Sequence, residues 1–262
     1  MTKAHRTTRG AKPLAPEKLL AELVRRIRLP RRRQRPAKRS VDLRWQDRLI
    51  EAIVPDAAAV LDLGCGGGQL LHRLIEHKHV RGQGVELDPA AVNQCVARDV
   101  PVVQANLDEG LRGFADQSFD YVVLEETLQT LHRPVAVLAE MLRVGRRGIV
   151  SFPNFGHWQV RLDLAARGRM PISDRLPYRW HDTPNIHLFT LRDFLDWARQ
   201  NRVRIVEAHA LVNGAHRPLR PEDDLHAEEV LVVVEKQKAP PPARKTARKR
   251  SPGRGSHHRG TR

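Results

Sequence analysis

The stretch Val60-Leu-Asp-Leu-Gly-Cys-Gly-Gly-Gly68 decides how the chain folds. A short apolar strand, Ala59 to Leu63, runs into glycines at 64, 66 and 68, and a helix is predicted from Gln69 to His77. Glycine is required where a backbone turns sharply and a ligand must come close to it. Outward from this loop, strand and helix signals alternate. Strands are expected at Gly82–Leu87, Val102–Gln104, Phe119–Leu124 and Gly148–Phe152, with helices at Pro89–Arg98 and Pro134–Val144. A helix over Val41–Ile53 precedes the loop, with Leu43, Leu49, Ile50 and Ile53 at helical spacing. A last helix, Leu191–Gln200, leads to strands Val203–Ala210 and Glu229–Glu235, which have no helix between them and should pair antiparallel. The pattern predicts an α/β, Rossmann-like domain: a mostly parallel, seven-stranded sheet covered on both faces, ending in an antiparallel hairpin.

Glu86 stands 22 positions after Gly64, at the tip of the second strand, where a carboxylate can accept hydrogen bonds from both hydroxyls of a ribose. The dinucleotide fingerprint would want glycines at 64, 66 and 69, but position 69 is Gln. Asp62, two residues before the first glycine, points instead to a loop facing the cationic amino-acid end of S-adenosylmethionine. The predicted cofactor set is therefore Asp62, Gly64, Cys65, Gly66, Gly68 and Glu86, extended by Leu87, Asn106 and Leu107. Class I methyltransferases commonly place an acid at the end of the third strand, against the adenine amino group. Here Asn106 stands there, able to accept through its carbonyl, with Asp108 two further on, where capping of the next helix is the competing reading. Leu87 and Leu107 would sandwich the adenine, or simply belong to the core.

The net charge of +16 belongs to the ends of the chain. Residues 1–40 carry 14 Lys/Arg against 2 Glu, and residues 236–262 carry 10 Lys/Arg and no acid, which leaves the middle at −6. The organisation expected is a basic extension over 1–40, with a short helix at Pro16–Leu29, a cofactor-binding domain over 41–236, and a basic tail over 237–262. The basic runs Arg31–Arg39 and Arg244–Arg250 are read as solubilising tails or as nonspecific phosphate contacts to nucleic acid. Two cysteines make neither a disulfide framework nor a four-thiolate zinc site. The apolar runs, Val230–Val234 among them, fall far short of the ~20 residues of a membrane span. With no apolar signal core after Met1, a cytoplasmic location is the expectation.

The chain resembles the MetW family of methionine-biosynthesis proteins over nearly all of 41–235. The resemblance rests on Val60–Gly66, Gly84-Val-Glu-Leu-Asp-Pro89, Leu107–Leu111, Ser118–Tyr121, Thr127–Gln129 and Met141–Arg147. More specific are Val150-Ser-Phe-Pro-Asn-Phe-Gly-His-Trp158, Arg161, Gly168–Pro171, Leu176-Pro-Tyr178 and Asp182-Thr-Pro-Asn-Ile-His187. Glu125 and Glu126 depart from the Ser-Gln pair expected before Thr127. The resemblance implies a protein that acts with, or activates, homoserine O-acyltransferase, and it attaches no methyl acceptor.

Whether methyl transfer occurs is a separate matter. The sulfonium is already activated, so a methyltransferase chiefly needs its acceptor held in line. The Asn/Asp-Pro-Pro-aromatic loop of nucleic-acid amino-methyltransferases is replaced by Leu124-Glu-Glu-Thr-Leu-Gln129, and neither Cys65 nor Cys95 lies where a cytosine-C5 nucleophile would. No catalytic residue is assigned. The connection from Asn154 to His187 leaves the carboxyl end of the fifth strand and holds His157, Trp158, Arg161, Tyr178, Trp180 and His181. A loop of about 34 residues usually has a function. Three readings stay open: a substrate lid with a histidine base, a docking surface rich in aromatic residues and arginine, or a structural cover. Neither the spacing of His181, Asp182 and His187 nor any other pattern suits a metal.

Overall fold

The computed structural model describes residues 44–237 other than 174; the expected helix at 16–29 and both basic extensions lie outside that range. Five parallel strands form the first part of the sheet: β1 (Ala59–Leu63), β2 (Arg81–Glu86), β3 (Val102–Gln104), β4 (Phe119–Glu125) and β5 (Gly145–Pro153). Three more complete it: β6 (Val203–Val212), β7 (Ala215–Pro218) and β8 (Glu229–Lys236), in the overall order β3-β2-β1-β4-β5-β8-β6-β7. β8 runs antiparallel to both β5 and β6, so the two closing strands pair as their sequence suggested. The seven expected strands are all present. Short β7 adds an eighth at the edge, folding back on β6 from Asn213-Gly214, both with positive φ. Too short and too polar to show an alternating apolar pattern, β7 carries no strand signal of its own.

Helices cover both faces. α1 (Trp45–Ile53), α2 (Gln69–Lys78) and α3 (Pro89–Val96) bury Leu49, Ile50, Leu71, Leu74 and Cys95 against Val60, Val123 and Ile149. On the opposite face α4 (Pro134–Val144) and α6 (Leu191–Gln200) bury Leu138, Met141, Leu191 and Phe194 against Leu61, Leu63, Val122 and Phe152. The period of two along β1 sends Leu61 and Leu63 to one core and Val60, with Asp62 beside it, to the other. Asp62 is thus a carboxylate at an apolar position. α3 starts on Asp88, whose Oδ1 accepts from the Ala90 N–H at 3.1 Å, and Pro89 follows where its missing N–H costs nothing. α6 starts on a capping box of Thr190 and Asp193.

α5 (Trp158–Arg167) stands apart, for not one of its ten residues is buried. It lies within the 154–187 connection, whose ends are fastened tightly. At the start, Asn154 is 1% exposed; its Nδ2 donates to the carbonyls of Asp224 and Ala227, and its Oδ1 accepts from the N–H groups of Gly156 and Leu191. At the far end, the N–H groups of Ile186 and His187 both donate to the Gln129 carbonyl, at 2.9 and 3.0 Å. A short helix α7 (Asp223–His226) precedes β8.

Candidate functional site

In the order β3-β2-β1-β4-β5 the chain winds one way from β1 and the other way from β4, so their carboxyl ends frame the crevice where α/β sheets bind ligands. The glycine loop crosses this crevice. Gly64 has φ +75°, and a Cβ there would lie 2.7 Å from Thr127 Oγ1, so the loop presses against the segment after β4. At Gly66, with φ +53°, a Cβ would meet nothing within 4 Å, and the loop backbone faces open space. Gly68 caps α2 in left-handed conformation.

Glu86 holds the loop from β2. Its Oε2 accepts from the Gly66 N–H at 2.8 Å, and its Oε1 accepts from the N–H groups of Leu87 and Asp88 at 2.8 and 2.9 Å. Oε1 thus has both lone-pair sites filled, and Oε2 keeps one for an incoming hydroxyl. Asp62 is 4% exposed, and no hydrogen bond from the described residues reaches its carboxylate. Burial pushes this carboxyl up to about 7, with Arg44 opposing and Asp47 and Glu86 adding to the rise. A buried acid of this kind gains most from a cation placed next to it.

Cys65 and Cys95 are both buried, with their Sγ atoms 3.8 Å apart, and Cys95 donates to the Gly66 carbonyl at 3.1 Å. Burial pushes both thiols upward, so neither is a ready nucleophile. Cys65 serves as a small residue in the loop.

The adenine side is less complete. β3 meets β2 here through the Ala105 N–H and the Glu86 carbonyl, 3.0 Å apart. Asn106 Oδ1 accepts from the Asp108 N–H and caps a single 3-10 turn, which leaves its Nδ2 group and one lone pair for a ligand. Asp108 accepts from the N–H groups of His132 and Arg133, the two residues ahead of α4. Leu87, next to Glu86, is 60% exposed, whereas Leu107 is buried in the core. The two leucines do not form a symmetric sandwich.

A second cluster at the same sheet edge was not read from the sequence. Arg44 Nη2 donates to Glu125 at 2.9 Å, and Gln46 Nε2 bridges Glu126 and Glu229. The Trp45 indole N–H also donates to Glu229, whose other oxygen pairs with Arg175 Nη1 at 3.1 Å. Burial pushes Glu125 well above the usual carboxylate range and Glu229 up to about 7. The only signal for this cluster was the Glu125-Glu126 pair itself; partners 81 and 183 positions away leave no local pattern.

The sequence and the fold are shared with proteins of known family. A family model described as methionine biosynthesis protein MetW matches residues 44–232. The chain belongs to the MetW family. It is 34% identical over 208 residues to the bifunctional methionine biosynthesis protein MetXA/MetW of Rhodopirellula baltica, covering 75% of this chain and 33% of that protein. The chain therefore spans about a third of the length of the curated relative it matches. Among solved structures, a TehB-like SAM-dependent methyltransferase from Corynebacterium glutamicum matches with a TM-score of 0.53 at 20% identity, covering 75% of this chain and 89% of that one. A SAM-dependent methyltransferase from Thermotoga maritima matches with a TM-score of 0.55 at 16% identity, over 73% and 87%. These likenesses establish the class I methyltransferase fold for this MetW chain. No helix among the described residues is long and apolar enough to cross a membrane.

Proposed function

We propose that the protein binds S-adenosylmethionine at the glycine loop and works with, or activates, a homoserine O-acyltransferase in methionine biosynthesis. The functional unit is 41–236, with 1–40 and 237–262 as extensions. In this reading a ribose hydroxyl reaches Glu86, the donor's ammonium faces Asp62, and Asn106 and Leu87 border the adenine. The observation that carries the partner is the outer face of the 154–187 segment. α5 has no buried residue, and Trp158, Leu164, Met170, Tyr178 and Trp180 on and after it are 39–78% exposed. Apolar and aromatic residues left outside in this number suit a protein interface. A relative whose name joins MetXA and MetW in one protein supports the same association.

The test is co-purification with the acyltransferase and its rate with and without this protein. Trp180→Ala in a residue 78% exposed should leave folding intact and weaken the complex roughly 30-fold, the effect of losing an interface anchor worth about 2 kcal/mol. An unchanged acyltransferase rate and no complex would overturn this reading.

Donor affinity carries a pH signature. Asp62 titrates near 7 without ligand, and a neighbouring ammonium favours its ionised form. Binding then releases a proton below pH 7, and affinity should rise up to about tenfold per pH unit until it levels off. Calorimetry from pH 5.5 to 8 measures this, and Asp62→Asn should flatten the curve. The same sign makes the chain lose stability as pH rises from about 4 to about 7, since the unfolded carboxyl, near 3.8, gives up its proton first. A second reading, a small-molecule methyltransferase with its acceptor beneath the 154–187 segment, is favoured by the buried carboxyl of Glu125 at the end of β4. Steady turnover of labelled donor on a cell extract would establish it, and binding without turnover would count against it.

A further inference from the structure

The Arg44–Glu126 cluster is short of hydrogen-bond donors. β4 ends on Glu125, and the chain turns at Glu126 with φ +48° into the 3-10 turn Leu128–Thr130. Arg44 reaches both glutamates, its Nη2 lying 2.9 Å from Glu125 Oε2 and its Nη1 3.5 Å from Glu126 Oε2. Burial opposes the guanidinium charge, and Glu125, Asp47 and Glu126 outweigh it, so Arg44 is held more firmly protonated than usual. One cation nevertheless faces three carboxylates.

Three buried side-chain oxygens here have no hydrogen-bond partner among the described residues: Gln46 Oε1, Glu125 Oε1 and Gln129 Oε1. Gln46 is 1% exposed, Gln129 4%, and the Glu125 side chain 6%. They come from α1, β4 and the following turn, and converge on Glu126: Gln46 Nε2 donates to its Oε1 at 3.2 Å, and Gln129 Nε2 to its carbonyl at 2.7 Å. A buried acceptor left without a donor costs about 1–3 kcal/mol; these three are all oxygens, while the buried donor left unmet nearby, Arg175 Nε, faces Glu228 at 3.8 Å on the far side of Glu229. Among the described residues no group of three or more His, Cys, Asp and Glu is arranged to hold a metal ion, which turns attention to an organic donor.

We propose that Gln46, Glu125, Glu126 and Gln129 form a binding site for the cationic end of a small organic molecule, an ammonium or guanidinium group, for which Arg44 is the chain's own stand-in. Such a group brings several N–H donors and a positive charge together, which is what the cluster lacks. The site lies against the glycine loop through Thr127 and Gly64, and beneath the end of the 154–187 segment through the Gln129 carbonyl. It stands whether or not S-adenosylmethionine binds.

The experiment is calorimetry on the full chain with agmatine, which carries an ammonium and a guanidinium, and with butane-1,4-diol as the neutral control and calcium chloride as the inorganic one. One-to-one saturable agmatine binding is expected, with both controls silent. Glu125→Gln keeps the shape and removes the charge, and should weaken agmatine at least tenfold. Arg44→Ala removes the competing guanidinium and should tighten it by a similar factor. If Arg44→Ala lowers the thermal midpoint, Glu125→Gln carries the test, because its amide keeps the side chain's shape and Arg44 retains Asp47 and Glu126 as partners. No saturable binding, binding unchanged in Glu125→Gln, or calcium binding alone would overturn the proposal. A parallel S-adenosylmethionine titration separates the two readings: its failure beside intact agmatine binding counts against donor binding and leaves this site standing.

Discussion

Glu86→Ala is expected to lower the affinity for S-adenosylmethionine at least 100-fold by calorimetry, the largest effect of any single change at the site. The ribose loses a charged acceptor, a bond worth about 1.5–3 kcal/mol. The loop also loses its tether, because the Gly66 N–H donates to Glu86 Oε2 at 2.8 Å. Leu87 and Asp88 lose the acceptor that shapes the turn after β2. Glu86→Gln should fall between the two, since its amide oxygen can still accept from one side. Equal affinities for wild type and Glu86→Ala would remove the ribose from this place in the crevice.

The second large effect is on stability. Gly64→Ala should destabilise the chain by about 3 kcal/mol, combining a left-handed backbone cost of about 1–2 kcal/mol with an overpacking cost of similar size. The new Cβ would lie 2.7 Å from Thr127 Oγ1 and 2.9 Å from its Cγ2, two branches of one β-branched side chain that cannot both swing clear. Thr127→Ala removes both atoms. The double variant should recover the steric part and keep the backbone part, so a double-mutant cycle in urea should give a coupling of about 1–2 kcal/mol. Additive effects would mean that the two segments do not press on each other.

The glycine loop and its strand could be read because their requirements are local: apolar strand, left-handed turn, helix start and a carboxylate one strand over. Asp62 stood out for a related reason, its place two residues before the first glycine of the loop. β7 was missed since an edge strand of four residues, Ala-His-Arg-Pro, buries too little to leave a pattern. The Glu125 cluster was missed because its chemistry is assembled by topology. Arg44, Gln46, Gln129 and Glu229 are unremarkable where they stand in the chain, and only the closing of β8 against β5 and the seating of α1 bring them together. Leu107 shows the opposite failing: its place after β3 resembles an adenine contact, yet its side chain is taken up by the core.

α5 has a consequence for local opening. Helices of about ten residues are marginal in water without tertiary packing, and α5 is tied down mainly at its first turn, where the Arg161 side chain bonds the Gly156 carbonyl. Its amide protons should therefore exchange through fluctuations that leave the sheet closed, far faster than those of β4 or β5. A partner seated on this face would have to supply the free energy of holding the helix shut. The slowing of exchange across residues 158–167 on complex formation would then measure that coupling directly, and would outline the partner's footprint one amide at a time.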